Sequence, residues 1–338
     1  MKRTRPSRVT NHSAILKRRV EKAAPLGAML VLCSTLVLSL PSIAAGADPQ
    51  RLVAVTVDDL PMAGTPTLAE AQAATQAILA ALRAHGAPAI GFVNEDKLLV
   101  PGEVDARISI LEAWVDAGME LGNHNFGHVG FQKTPLDQYE EAVLKGEVVT
   151  RWLLAQRGRV PRFYRHPYTQ TGPTAFDKTA FESFLREHGY TVAPFTIEYD
   201  DFIFAAVYEA AIRRGEDDEV SRTRDAYVAH LDAAVDAFES MAEDLFGRAI
   251  PHVLLLHANL LNGDALDAIL AVLERRGFRF VTLEEALRDP AYESPDGYIG
   301  PHGPSWLRRW SIGLERPTRV AGQPDPPTWI MERYDRSR

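Results

Sequence analysis

Cysteine is almost absent from this chain. The 338 residues contain one, Cys33, and it lies in a segment that reads as an export signal. The remainder therefore has no disulfide, no thiol nucleophile and no cysteine-ligated zinc, although an exported compartment would tolerate disulfides. Any metal would have to be held by oxygen and imidazole nitrogen. Positive charge is also scarce outside the N-terminus. Lys2, Arg3, Arg5, Arg8, Lys17, Arg18, Arg19 and Lys22 face one acid, Glu21, before an apolar run from Ala24 to Leu40. That run is a little short for a spanning helix, which needs about 20 residues. Small residues follow at Ala45-Gly46-Ala47. This is the layout of a secretory signal peptide. We expect residues 1–47 to be removed, the mature chain to begin near Asp48, and the protein to be periplasmic or extracellular, with an uncleaved anchor as the alternative. Without those residues 29 basic side chains stand against 44 acidic ones, and the formal balance moves from −8 to −15. Such a surface argues against nucleic-acid binding.

Apolar runs alternate with helical patterns from Leu52 to about Leu287, which predicts βα units on a mainly parallel sheet. Strands are expected at 53–57, 89–93, 119–123, 162–164, 190–196, 253–256 and 278–281. Between them lie helical patterns at 67–84 with Thr67 as the cap, 105–117 ended by Gly118, 136–156 as one long helix, 177–188, 201–214, 217–246, 264–276 and 283–288. There is no internal repeat. No composition break divides residues 48–290, so they read as one domain. Residues 291–338, rich in Pro, Gly and Trp, are expected to be an irregular tail packed on it, latched by Tyr298, Trp306, Trp310 and Trp329, with stacking of those rings on sugars as the alternative.

The first apolar run, Val53-Ala-Val-Thr-Val57, ends in two adjacent carboxylates, Asp58 and Asp59. Two like charges so close are costly unless a cation neutralises one of them. Another run ends near His124, with His128 four residues on, a spacing that on a helical turn would aim both imidazoles at one metal. A third run, Val253-Leu-Leu-Leu256, ends in His257. Each feature alone has a plain structural reading: a helix cap for the aspartates, solvated or packed imidazoles for the histidines. Together, all at the C-terminal ends of strands, they suggest one metal site on one face of an α/β fold.

These residues also resemble a known family. Val55-Thr-Val-Asp58-Asp59, His124-Asn-Phe-Gly-His128, Arg165-His-Pro-Tyr168, Thr196-Ile-Glu-Tyr-Asp-Asp-Phe202 and Leu255-Leu-His257 are similar, in order, to the five motifs of the polysaccharide deacetylases, the NodB-homology or family 4 carbohydrate esterases. The resemblance implies a distorted (β/α) barrel of about seven parallel strands. It implies that Asp59, His124 and His128 bind one divalent metal, most often Zn2+, with Co2+ or Ni2+ as the other candidates. It makes Asp58 the general base, oriented by Arg165, and His257 the general acid, oriented by Asp201. It gives the backbone N–H of Tyr168 to the oxyanion. With Arg165 and a metal beside it, Asp58 is expected to keep a low pKa. The departures are Asn125 where the family carries Ser or Thr, Phe202 where it carries Trp, and Thr169 where Gly is common. None removes a catalytic group. The implied activity is deacetylation of an acetylated carbohydrate, a chitin-like polymer or peptidoglycan. An acetylxylan-type O-acetyl esterase is a near alternative, a cyclic-amide hydrolase a more distant one, and a non-catalytic glycan-binding barrel is the reading from another class.

Overall fold

Val53, Ala54, Val55 and Val57 are buried with no alternation along β1 (Arg51–Leu60), the pattern of a parallel strand covered on both faces. The computed structural model that shows this describes residues 51–320 and 322–337. The expected signal segment 1–47, its cleavage site and Asp48 lie outside the described residues. Among the described residues no helix is long and apolar enough to cross a membrane.

The chain runs on through α1 (Leu68–Ala84), β2 (Ala89–Val93), α2 (Val104–Asp116), β3 (Glu120–Asn123), α3 (Leu136–Lys145), α4 (Val148–Ala155), β4 (Phe163–Tyr164), α5 (Ala175–Glu187) and β5 (Thr191–Val192). Then come α6 (Asp201–Arg214), α7 (Asp217–Phe246), β6 (His252–His257), α8 (Leu260–Arg275), β7 (Phe278–Val281) and α9 (Leu283–Ala286), followed by α10 (Trp306–Gly313) and α11 (Thr328–Ser337). The sheet is parallel throughout, in the order β5-β4-β3-β2-β1-β6, with β7 also paired to β1. This is the expected α/β architecture, a distorted (β/α) barrel of seven strands. The expected strand 190–196 is split. Its start pairs with β4, and the chain then crosses to β6, where Ile197 bridges Leu254. A segment that changes partner midway keeps too few consecutive ladder bonds to form one strand, but the crossing closes the ring between β5 and β6.

Local chemistry explains most boundaries. Thr67 and Glu70 form a reciprocal capping box at the start of α1, which satisfies two of its free N–H groups. The helix expected over 136–156 is two helices, broken at Gly146. A Cβ there would lie 2.7 Å from the Phe126 nitrogen and 2.9 Å from the Asn125 carbonyl carbon. The break thus lets the loop that carries His124 and His128 lie against the helix pair. The tail is not irregular throughout. Trp306, Leu307 and Trp310 share one buried face of α10, and Ile330 is buried on α11. Arg222 of α7 lies 3.9 Å over the Trp329 ring. The tail aromatics therefore act as latches on the barrel.

Gly122 in β3 is a second position where a side chain does not fit. A Cβ would fall 2.5 Å from the Phe92 ring and 3.0 Å from the Phe163 carbonyl oxygen. Overpacking of this kind typically costs about 1–3 kcal/mol. Gly122→Ala should lower the midpoint of urea unfolding accordingly, with the slope unchanged. An unchanged midpoint would mean that β2 and β4 yield freely at this point.

Candidate active site and metal centre

Successive residues of a regular strand point to opposite faces, so Asp58 and Asp59 should diverge. They do not, because the pairing of β1 with β2 shifts register between Val57 and Leu60 and Asp59 has a positive φ of 70°. Aspartate tolerates that backbone better than most residues. The irregularity brings both carboxylates to His124: its Nε2 is 3.8 Å from Asp58 Oδ2 and 3.7 Å from Asp59 Oδ1. Asp59 Oδ1 is also 3.4 Å from His128 Nε2. The ligating atoms of Asp59, His124 and His128 all lie within 4.8 Å of one another.

The two histidines reach this geometry without the helical turn that their spacing suggested. Asn125, Gly127 and His128 have φ of 71°, 79° and 47°, so the loop turns back on itself. Neighbouring side chains hold it. Asn94 Nδ2 donates to the carbonyls of His124 and Asn125, and Asp96 Oδ1 accepts from the Gly127 N–H. His124 Nδ1 lies 2.7 Å from the Arg165 carbonyl. A carbonyl can only accept, so Nδ1 carries the proton and Nε2 presents its lone pair to the carboxylates. Burial, reinforced by His128, keeps the His124 pKa well below the ordinary value, and burial lowers that of His128 as well. Both are neutral donors. Asp59 Oδ1 is buried and accepts no hydrogen bond from the described residues. Burial pushes the Asp59 pKa up, but the opposing influences, led by the positive charge of Lys97, outweigh it and hold the carboxyl ionised. An ionised buried oxygen without a hydrogen bond, facing two neutral imidazole nitrogens, fits a divalent cation.

Asp58 is 2% exposed. Its Oδ2 lies 3.4 Å from Arg165 Nη1, and Arg165 is fixed in turn by a bond from Nη2 to Thr56 Oγ1 and by the Phe92 and Phe195 rings beside its guanidinium. The expected low pKa is not found. Burial pushes Asp58 up to about 6, against the opposing charges of Arg165 and His257 and with the help of Asp59. One long contact to Arg165 does not replace the water lost around the carboxylate.

Asp58 is paired in register with His257 across β1 and β6. His257 Nδ1 lies 2.7 Å from Asp201 Oδ1. The other oxygen of Asp201 accepts from the His257 backbone N–H and from Asn262 Nδ2. Asn262 is anchored by Tyr227, whose hydroxyl donates to its Oδ1. Burial disfavours a charged His257, but Asp201, first through its charge and then through its hydrogen bond, more than reverses this, aided by Asp59 and Asp58. The pKa rises to about 10. Tyr168 packs on the histidine pair, its ring 4.5 Å from that of His128, and the residue is 59% exposed. All eight residues singled out from the sequence thus come to one end of the barrel.

Sequence reasoning missed several neighbours. Lys97 Nζ is 3.6 Å from Asp59 Oδ1, and it comes from a 3-10 turn with no motif to mark it. Asn94 could have been found, since it follows the apolar run of β2 as Asp58 follows that of β1. Glu198, pushed up to about 8 by burial and by Asp200, is met by Gln323 of the tail.

Residues 45–193 match the polysaccharide deacetylase family model. The match bears out the resemblance that the motifs carry over this part of the chain. The matched span contains Asp58, Asp59, His124, His128, Arg165 and Tyr168 but ends before Asp201 and His257. No curated protein matches the sequence. Among solved structures, the chain is similar to a family 4 carbohydrate esterase from Streptomyces lividans in complex with acetate, with 20% identity over 71% of this chain and 97% of that one and a TM-score of 0.43. It is similar to the peptidoglycan deacetylase PdaC from Bacillus subtilis, with 19% identity, 71% and 93% coverage and a TM-score of 0.44. It is also similar to a family 4 pseudoenzyme from Bacillus anthracis, with 16% identity, 72% and 67% coverage and a TM-score of 0.45. Likenesses this distant transfer no residue's role.

Purified protein should carry one divalent metal per chain by elemental analysis, removable by a chelator. The His124→Ala, His128→Ala double variant should carry none. Full occupancy in that variant would place the metal elsewhere.

Proposed function

We propose that this protein is an exported, metal-dependent deacetylase that removes N-acetyl groups from an acetylated polysaccharide or oligosaccharide. The observation that carries the reading is the pairing of Asp58 with His257 beside the Asp59, His124, His128 cluster. One group is a buried carboxylate with a pKa raised to about 6, the other an imidazole kept protonated by Asp201. Two titratable groups pushed apart in this way are suited to base and acid roles. A non-catalytic glycan-binding barrel would have no use for the division.

A divalent metal held by Asp59, His124 and His128, Zn2+ for preference and Co2+ or Ni2+ otherwise, would polarise the acetyl carbonyl and lower the pKa of a water. The chain's own groups supply the rest. Asp58, ionised at neutral pH, takes the proton of the attacking water, and Arg165 keeps its carboxylate oriented. The Tyr168 N–H donates to the oxygen that becomes negative. His257 Nε2 gives its proton to the departing amine while Asp201 holds Nδ1–H and the ring. The exposed rings of Tyr168 and Phe202, 59% and 47% exposed, offer faces on which a sugar can stack.

The substrate class that the motif resemblance implies is an N-acetylglucosamine polymer, a chitin-like chain or peptidoglycan. An O-acetylated xylan would use the same residues with an alkoxide leaving group. An acetate-release screen of the metal-loaded protein across chitin oligomers, peptidoglycan and acetylated xylan decides between them. We expect release from the first two. Release from xylan alone would make the protein an O-acetyl esterase, and release from none would favour the binding barrel.

Base and acid catalysis each contribute about 10²–10⁴-fold. Asp58→Asn and His257→Ala should therefore each lose at least about two orders of magnitude in turnover while retaining metal. Loss of metal from Asp58→Asn would show that the two aspartates share the ligand role. His257 must be protonated to act, so its raised pKa keeps the enzyme active well above pH 7 and the rate falls as pH approaches about 10. Asp201→Asn removes the main cause of that shift and should move the basic limb down toward the ordinary imidazole range. A limb that stays in place would assign it to another group.

Export rests on residues 1–47 alone. N-terminal sequencing of protein from its native host should find a start near Asp48. An intact segment on membrane-bound protein would establish the anchor instead.

A further inference from the structure

Tyr168 and Thr169 are consecutive non-glycine residues in left-handed backbone, with φ of 52° and 54°. Neither residue type favours that region, and such a conformation persists only where its surroundings over-determine it. Glycine would adopt a positive φ at position 169 without penalty. Thr169 lacks that freedom, so something else must hold the turn.

The contacts point to the C-terminal segment. Arg309 of α10 is fully buried, and its Nη2 donates to the Thr169 carbonyl at 2.5 Å while Nη1 donates to Thr171 Oγ1 at 3.0 Å. The guanidinium is itself fixed, by Asp296 at 3.2 Å and by the Trp306 ring at 4.1 Å. From the other side Thr169 Oγ1 donates to the Gly303 carbonyl at 2.7 Å, and Gln170 Nε2 to that of Pro301 at 2.9 Å. The approach at Gly303 is so close that a Cβ there would fall 1.5 Å from Thr169 Oγ1. Backbone and guanidinium from one segment thus grip the turn whose first left-handed residue packs on His128.

We propose that the C-terminal segment is a working part of the active site and that Arg309 is a positioning residue for the Tyr168–Thr169 turn, setting where the Tyr168 N–H and ring stand relative to His128. The catalytic part of this proposal rests on the deacetylase reading above. The clamp itself does not.

Arg309→Lys keeps a positive charge beside Asp296 but loses the planar fork that reaches two acceptors at once. Gly303→Ala leaves every charge in place and presses on Thr169 from the opposite side. Hydrogen–deuterium exchange of the metal-loaded full chain reads the clamp without reference to activity. In both variants the amides of residues 166–172 should exchange faster, with the urea midpoint of Arg309→Lys close to wild type. Unchanged local exchange in both variants would overturn the clamp. With whichever substrate the wild type deacetylates, kcat should fall by about tenfold to a hundredfold, the scale of a misplacement of about 1 Å, with KM within about twofold. Thr169→Gly supplies the missing backbone freedom, so Arg309→Lys should cost much less kcat in that background than in wild type. A general packing defect would cost the same in both, and equal losses would overturn the positioning role. Faster exchange with unchanged kcat would likewise show that the turn is held for stability alone. A wild type that releases no acetate from any substrate contradicts the deacetylase reading and the catalytic half of this proposal, while the exchange measurement still decides the clamp.

Discussion

Two successive carboxylates at the end of one strand, Asp58 buried and Asp59 largely so, set the terms for everything around them. Asp58 and Asp59 share a site from which most water is excluded, and each must find compensation there. They find it differently. Asp59 meets Lys97 and two neutral imidazoles, and stays ionised with one oxygen free of hydrogen bonds. Asp58 meets a long contact to Arg165 and the charge of His257, too little to offset its burial, and its pKa rises. The pair is thereby split into a ligand-like carboxylate and a base-like one by their surroundings, although the two residues are chemically identical and adjacent. His257 completes the division, since Asp201 supports its charge.

The barrel makes this possible by placing the C-terminal ends of β1, β2, β3, β4 and β6 on one rim. Regular structure stops there and strained loops begin. Asp59, Asn125, His128, Tyr168, Thr169 and Asp200 all have positive φ, and all lie within a few residues of a functional side chain. Each such residue costs of order 1–3 kcal/mol, so the supports matter as much as the site residues. Asn94 and Asp96 steady the histidine loop, Asn262 and Tyr227 steady Asp201, and the C-terminal segment grips the Tyr168 turn.

Much of this was legible in the sequence, for identifiable reasons. The helical pattern of 217–246 and the cap at Thr67 fix α7 and α1 through local physics. The apolar runs ending in Asp58, His124 and His257 mark strand ends by composition alone. What could not be read depends on contacts between distant segments. Nothing local to residues 136–156 shows that Gly146 must make room for Phe126. The four-residue spacing of the histidines suggested a helical turn, and only Gly127 hinted at the loop that replaces it. The pKa of Asp58 turns on burial, which a motif does not record. Lys97 comes to Asp59 from a turn that carries no pattern, and the tail's helices form because Trp306 and Trp310 have a barrel to bury against.

The central claim is that Asp59, His124 and His128 bind a divalent cation whose charge relieves the buried carboxylate pair. The most direct test is the unfolding free energy of metal-free protein titrated with Zn2+. Binding to the folded state alone adds about 1.4 kcal/mol for each tenfold rise in free metal above the dissociation constant. The account predicts that slope for wild type and its disappearance in Asp59→Asn. A wild type whose stability ignores the metal, or an Asp59→Asn variant that responds as wild type does, would contradict it.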